Sequence, residues 1–217
     1  MENLKQRIQQ YNKKFDEYQN NSIKEKASFE VIEGNIPILI SAPHSVRQLR
    51  EGKIKGKDSY TGAMVIEIAK QTNCFAIYKT YNNQDDASYD IENNSYKEKV
   101  LQIIRENQIQ IFLDIHGAKD TEEFDVDIGT DEKQNLNGKI EILENLIKSL
   151  KENGIEKIGI DKKFKANTMH TLTKKVATNT KIACMQIEFT KKYRDINQIQ
   201  NLKKALNAII NWIKNNG

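Results

Sequence analysis

Residues 95–117, SYKEKVLQIIRENQIQIFLDIHG, read as a helix from Ser95 to about Asn107 followed at once by a buried strand, Ile109 to Ile115. Ser95 with Glu98 three places on is a capping-box start, and the apolar run delivers His116 and Gly117 at its end. The same rhythm extends in both directions. Upstream lie a helix from about Ser59 to Gln71 and a strand Cys74 to Tyr78, and before them two short strands, Phe29 to Ile32 and Ile36 to Ser41, with a Gly34-Asn35 turn between them. Downstream a strand, Phe124 to Ile128, leads to a helix with Ile140, Leu143, Ile147 and Leu150 on one face, ended at Asn153-Gly154 by a left-handed cap. A strand near Ile155 to Ile160, a loop with a short helical piece, a strong strand Lys181 to Phe189 and a last helix carrying Leu202, Ala205, Leu206, Ile209, Ile210 and Ile213 complete the pattern. Strands alternating with helices predict an α/β fold with a mixed, largely parallel sheet covered by helices on both faces.

The 217 residues, with no repeat and no Pro- or Ser-rich linker, predict a single domain over 1–217. Residues 1–21 form an N-terminal amphipathic helix in this reading, because Leu4, Ile8, Tyr11, Phe15 and Tyr18 share one stripe; it packs on the body or on a partner subunit. At 38% hydrophobic and 29% charged, the composition excludes collagenous, disulfide-rich and disordered classes. No window is apolar enough to span a membrane. The net charge of +4 is the small difference between 34 basic and 30 acidic side chains that are interspersed, which argues against a nucleic-acid partner. MENLKQRIQQ has no signal-peptide apolar core, and Cys74 and Cys184 sit in apolar runs, so a cytoplasmic protein with buried free thiols is expected.

Chemistry-bearing residues gather at predicted strand ends. Two of the three histidines, His44 in ILISAPHS and His116 in IFLDIHGA, follow buried strands, and Glu188 closes a third in ACMQIEF. The crevice beyond the carboxyl ends of the strands is where ligands bind in open α/β sheets. A catalytic zinc site takes three protein ligands and keeps one position open, so a further ligand is needed beside the histidines. Asp58 in GKDSYTG is the first candidate, with Glu51 and Glu188 as the others; Asp58 also stands where the next helix wants an N-cap. His170 in NTMHTLT reads as an exposed or supporting loop residue, and YNNQDDASYD, with Asp85, Asp86 and Asp90, as an acidic solvated loop. DIHG matches the opening of binuclear metallophosphoesterases, but that chemistry needs more histidines than the three present. No G-x-S-x-G elbow, Walker loop or G-x-G-x-x-G occurs, which removes serine-hydrolase and nucleotide-binding readings.

The blocks SAPHS, KDSYTG, LDIHGAKD with DVDIGT close behind, and MQIEFTKKYRD resemble the N-formylglutamate amidohydrolase family over roughly residues 36–195. The chain departs from that family at Val46, where the family carries Gly, and in being shorter. The resemblance implies a zinc-exopeptidase (phosphorylase/hydrolase-like) architecture and one Zn2+ per chain held by His44, Asp58 and His116, with Glu188 as general base. Arg47 and Arg194, with Arg50 as a third, are candidates to share the oxyanion or to pair a substrate carboxylate. Asp114 and Asp127 are candidates to orient the ligand imidazoles, and Gly117 to let the backbone approach the site. The expected activity is zinc-dependent cleavage of the amide bond of a small, carboxylate-bearing N-acyl amino acid such as N-formylglutamate. The alternatives are a carboxypeptidase-like hydrolase of short peptides, and a metal-free small-anion-binding protein that uses the basic loop REGKIKGKD.

Overall fold

The computed structural model describes residues 3–17, 28–90 and 94–217. In chain order the elements are α1 (Leu4–Glu17), β1 (Phe29–Ile32), β2 (Ile36–Ala42), β3 (Gln48–Arg50), β4 (Lys53–Lys55), α2 (Thr61–Thr72), β5 (Cys74–Lys79) and α3 (Ser95–Glu106). They continue with β6 (Ile111–Ala118), β7 (Val126–Gly129), α4 (Ile140–Glu152), β8 (Ile158–Ile160), α5 (Leu172–Thr180), β9 (Ala183–Thr190) and α6 (Ile199–Asn216). Seven strands form one sheet in the order β1-β5-β2-β6-β9-β7-β8, and β3 and β4 form a separate hairpin. The centre is parallel, from β5 through β2 and β6 to β9, while β1 on β5 and β7 on β9 are antiparallel. The fold is therefore a single α/β domain with a mixed, mostly parallel sheet.

Alternation along the central strands sends side chains to two different cores. Ile38, Ile40, Leu113, Ile115, Met185 and Ile187 join the larger core, with residues of α2, α4 and α6. Leu39, Phe75, Ile77, Phe112 and Cys184 join a smaller one, under α3 and α5. Each strand thus needs apolar residues on both faces, which is why these segments read as continuous apolar runs. Cys74 and Cys184 are both buried free thiols. On the larger face α1 lies against α2 with Ile8 and Phe15 fully buried, and Arg7 pairs with Glu67 at 2.6 Å. Tyr18, the last member of the predicted stripe, lies outside the described residues.

Parallel partners take both edges of β2, and β1 adds to the outer edge of β5. Three expectations are corrected. The cap of α3 is Asn94, whose side chain accepts from the Lys97 amide at 3.0 Å, and Ser95 is already helical. β6 does not stop at Ile115, because β9 keeps pairing with it up to Ala118↔Thr190, so His116 and Glu188 lie inside the ladder and opposite one another. Finally, the basic loop contains the β3–β4 hairpin, closed by Glu51 and Gly52, both at positive φ, with Leu49 opposite Ile54.

Candidate metal centre

The polar face of the sheet's carboxyl end follows from the two-residue period of the strands. Phe112 and Cys184 face the smaller core; two places on, Asp114 and Gln186 stand side by side, and two further, His116 and Glu188 do. β2 runs parallel beside β6 and hands the chain on to His44 two residues past its end. From β2 the chain crosses through α2 to β5 on one side, and from β5 it returns through α3 to β6 on the other side of β2. This makes the carboxyl ends of β2 and β6 the switch point of the sheet, where open α/β folds hold their ligands.

Three groups converge there. His44 Nδ1 and His116 Nδ1 are 3.1 Å apart, and Asp58 Oδ2 lies 3.5 Å from each of them. Asp58 reaches this point from the segment before α2, whose first turn it contacts through its backbone carbonyl, which accepts from the Thr61 amide at 3.2 Å and from Thr61 Oγ1 at 2.8 Å. The side chain is thus directed to the histidines instead of capping the helix. Behind the histidines, His44 Nε2 meets Asp86 Oδ1 at 2.8 Å and His116 Nε2 meets Asp114 Oδ2 at 3.0 Å. A carboxylate on Nε2 fixes the proton there and leaves the Nδ1 lone pair facing inward, the arrangement of ligating histidines.

These three residues fit a zinc ion. A tetrahedron with bonds of about 2.1 Å has edges of about 3.4 Å, and the observed separations are 3.1, 3.5 and 3.5 Å. The electrostatics agree. Burial works against charge on His44, but its hydrogen bonds to the Asp58 and Asp86 carboxylates outweigh it and raise its pKa. His116 is raised well above its ordinary value, since Asp114 and Asp58 overcome the same burial. Asp58 is buried too, yet its bonds to both histidines hold its carboxyl below the usual carboxylate range. The cluster attracts positive charge, and the donors are the nitrogen and oxygen types zinc prefers.

Glu188 stands beside the triad, 5% exposed. Burial pushes its pKa up to about 7, with the Asp58 charge adding and the histidines opposing. Gln186 Nε2 donates to its Oε1 at 2.8 Å, and Oε2 has no protein partner among the described residues. A cavity of about 270 Å³ opens over the group, lined by His44, Asp58, His116, Glu188, Arg50 and Phe164 among others.

The arginines are placed differently from one another. Arg47 is exposed on the turn leading into β3 and lines neither of the two cavities beside the triad. Arg194 is 6% exposed, and each of its nitrogens donates to a backbone carbonyl: Nε to Phe189 at 3.0 Å, Nη1 to Ser59 at 2.6 Å and Nη2 to Ala118 at 3.0 Å. It passes so close to Gly117 that a Cβ there would lie 2.3 Å from its Cζ. Arg50 lines the cavity, with Nε and Nη2 on Asp86 Oδ2 at 2.9 and 2.8 Å and its ring-facing side over Tyr89. Asp127 serves a loop and no imidazole: it accepts from the amides of Lys162, Lys163 and Phe164 and so positions Phe164 at the cavity. Glu51 meets Tyr89 Oη, away from the triad.

Segment 81–90 is no solvated loop. Asp86 is fully buried, and its two oxygens join His44 and Arg50. Lys79, at the end of β5, anchors the segment through Asn83 at 2.8 Å and through Asp85; burial lowers the Lys79 pKa to about 7. His170 braces the same segment, with Nδ1 on the Tyr89 carbonyl at 2.6 Å and its ring against Tyr89. Asp86 carries no signal in spacing, whereas Gln186 is findable as the residue two places before Glu188 on the same strand face.

The same mixed α/β fold occurs in solved structures, among them a metallo-carboxypeptidase and a poly-gamma-glutamate hydrolase. Among solved structures, a gene product of Agrobacterium tumefaciens is similar at TM-score 0.64 and 9% identity, over 93% of this chain and 97% of that one. A bacteriophage poly-gamma-glutamate hydrolase is similar at TM-score 0.55 and 14% identity, over 88% of this chain and 92% of that one. A metallo-carboxypeptidase from Burkholderia cenocepacia follows at TM-score 0.52 and 11% identity, over 89% of this chain and 67% of that one. At these identities the likeness is one of fold. No family model and no curated protein matches the sequence. Among the described residues, no helix is long and apolar enough to cross a membrane.

Proposed function

We propose that the protein is a zinc-dependent amidohydrolase that cleaves the amide bond of a small, carboxylate-bearing N-acyl amino acid such as N-formylglutamate. The observation that carries this reading is the convergence of His44, Asp58 and His116 beside a buried Glu188 in one cavity. In this proposal the three hold one Zn2+ per chain, which supplies Lewis acidity toward the amide carbonyl and acidifies water. Glu188 takes the proton from water and hands it to the leaving nitrogen. A pKa raised to about 7 suits both halves of that transfer, because the group must be a base first and an acid afterwards. Gln186 holds one oxygen of Glu188, and Asp86 and Asp114 keep the imidazoles in one tautomer.

For the substrate carboxylate we assign Arg50, whose Nη1 has no protein partner among the described residues. Arg194 acts as a fixed positive charge beneath the site, close enough to Asp58 and Glu188 to interact with both. The test is elemental analysis of the purified protein with an assay on N-acyl amino acids. About one zinc per chain is expected, lost in His44→Ala and His116→Ala. Glu188→Gln should keep the metal and lose about 100-fold or more in kcat. A chain that takes up no metal on reconstitution would return the metal-free anion-binding reading.

A further inference from the structure

The cavity over the triad has a neighbour. Asp58 and Gly117 also line a second cavity, of about 470 Å³, whose other walls are Gly56, Lys57, Ser59, Ala118, Lys119, Asp120, Lys191 and Arg194. The strands that bear the metal centre generate this second cavity. β6 carries His116 and, three residues on, Lys119; β9 carries Glu188 and, three residues on, Lys191. Because His116 pairs with Glu188 and Ala118 with Thr190 in register, the two lysines leave the ladder side by side. At about 3.3 Å per residue they stand about 10 Å beyond the reacting groups.

Lys119 and Lys191 are exposed and have no ion-pair partner among the described residues. Asp120, the one other acid beside Asp58 in that lining, accepts from the Lys192 amide at 2.7 Å. The cavity over the triad presents Arg50, fixed by Asp86 and by stacking over Tyr89. Cationic groups therefore line both cavities, which share Asp58 and Gly117. An N-formyl amino acid, even glutamate with its two carboxylates, carries its acids only on the amine side of the scissile bond and offers none on the formyl side. A chain with an acid on each residue fills both.

We propose that the natural substrate is an acidic oligomer cut at an internal amide bond, with one carboxylate on Arg50 and those beyond the scissile bond on Lys119 and Lys191. This rests on the hydrolase reading above and specifies its substrate class. In the reaction the oxygen of one water bonds to the carbonyl carbon and the C–N bond breaks. Both protons of that water end on the leaving nitrogen, one carried there by Glu188 and the second released as the new carboxylic acid ionises, so the products are a carboxylate and an ammonium group.

The test uses zinc-loaded protein with hexaglutamate blocked at both ends, as α-linked and γ-linked forms, with blocked hexaglutamine and N-formylglutamate beside them. Internal fragments of one hexaglutamate and none of hexaglutamine are expected by mass spectrometry. Binding is read separately by calorimetry on Glu188→Gln. Adding Lys119→Gln and Lys191→Gln should weaken hexaglutamate binding about tenfold and flatten its salt dependence, while in the active protein kcat/KM falls more for hexaglutamate than for N-formylglutamate. Hydrolysis of N-formylglutamate with neither hexaglutamate bound nor cut would overturn the inference and leave the hydrolase standing. Cleavage of none of the four would overturn both.

Discussion

At Glu188 the burial that suits the chemistry acts against the fold. Without metal, its folded pKa of about 7 lies above the ordinary 4.5, so the folded chain binds this proton more tightly than the unfolded one. The group therefore costs nothing below pH 4.5, and the penalty grows as pH rises to about 7, reaching about 3 kcal/mol at most. Metal-stripped Glu188→Gln should melt several degrees higher than metal-stripped wild type at pH 8 and at the same temperature near pH 4. A difference that ignores pH would refute the assignment of the penalty to this carboxyl. Asp86 and Asp114 act one bond further out. Asp86→Asn and Asp114→Asn should each weaken zinc binding about 10- to 100-fold in chelator competition, with the far-ultraviolet circular dichroism unchanged. Of these residues, His44, His116 and Glu188 were legible as ligand types at strand ends, and Asp58, between a basic loop and a helix, as the first of three candidates for the further ligand. Asp86 was not, because its role comes from a loop folded back across the sheet, and no local period reports such a return.

At the scale of elements, periodicity carried the helices and the buried strands, because each buries a stripe or a face whose spacing the chain displays. It failed where local signals compete or where a partner decides. Asn94 and Ser95 are both good caps, and the structure uses the first. Asn94→Ala should cost about 1 kcal/mol in chemical denaturation and Ser95→Ala only a few tenths; the reverse order would restore the Ser95 capping box. The length of β6 is set by β9, which supplies its hydrogen bonds up to Ala118, so no inspection of IFLDIHGA alone could place its end. The β3–β4 hairpin was readable in principle, as Leu49 and Ile54 flank a two-residue Glu51-Gly52 turn, but basic residues at its ends concealed the pattern.

In the whole molecule, Arg194 ties together three segments that must stay in register: the end of β9, the entry to α2 and the end of β6. Arg194→Ala leaves three carbonyls without their donor and should destabilise the fold by about 3 kcal/mol or more. Gly117→Ala should be similarly harmful alone, because its Cβ would overlap the guanidinium, and nearly harmless in the Arg194→Ala background. A double-mutant cycle by urea unfolding measures that coupling, and additive losses would exclude it. The architecture itself followed from the alternation of strands and helices, whereas the strand order β1-β5-β2-β6-β9-β7-β8 involves choices between neighbours that sequence proximity does not make.

The split between ladder and connections decides what can vary. His116 and Glu188 are pinned by backbone pairing within the sheet, whereas Arg50 rides on a short hairpin and Lys119 and Lys191 on the residues just past the strands. Exchanging the few residues past the strands leaves that pairing in place, whereas the hairpin also reaches His44 through Arg50 and Asp86. What the cavity accepts can therefore change with those peripheral residues, while the ladder keeps His116 and Glu188 side by side.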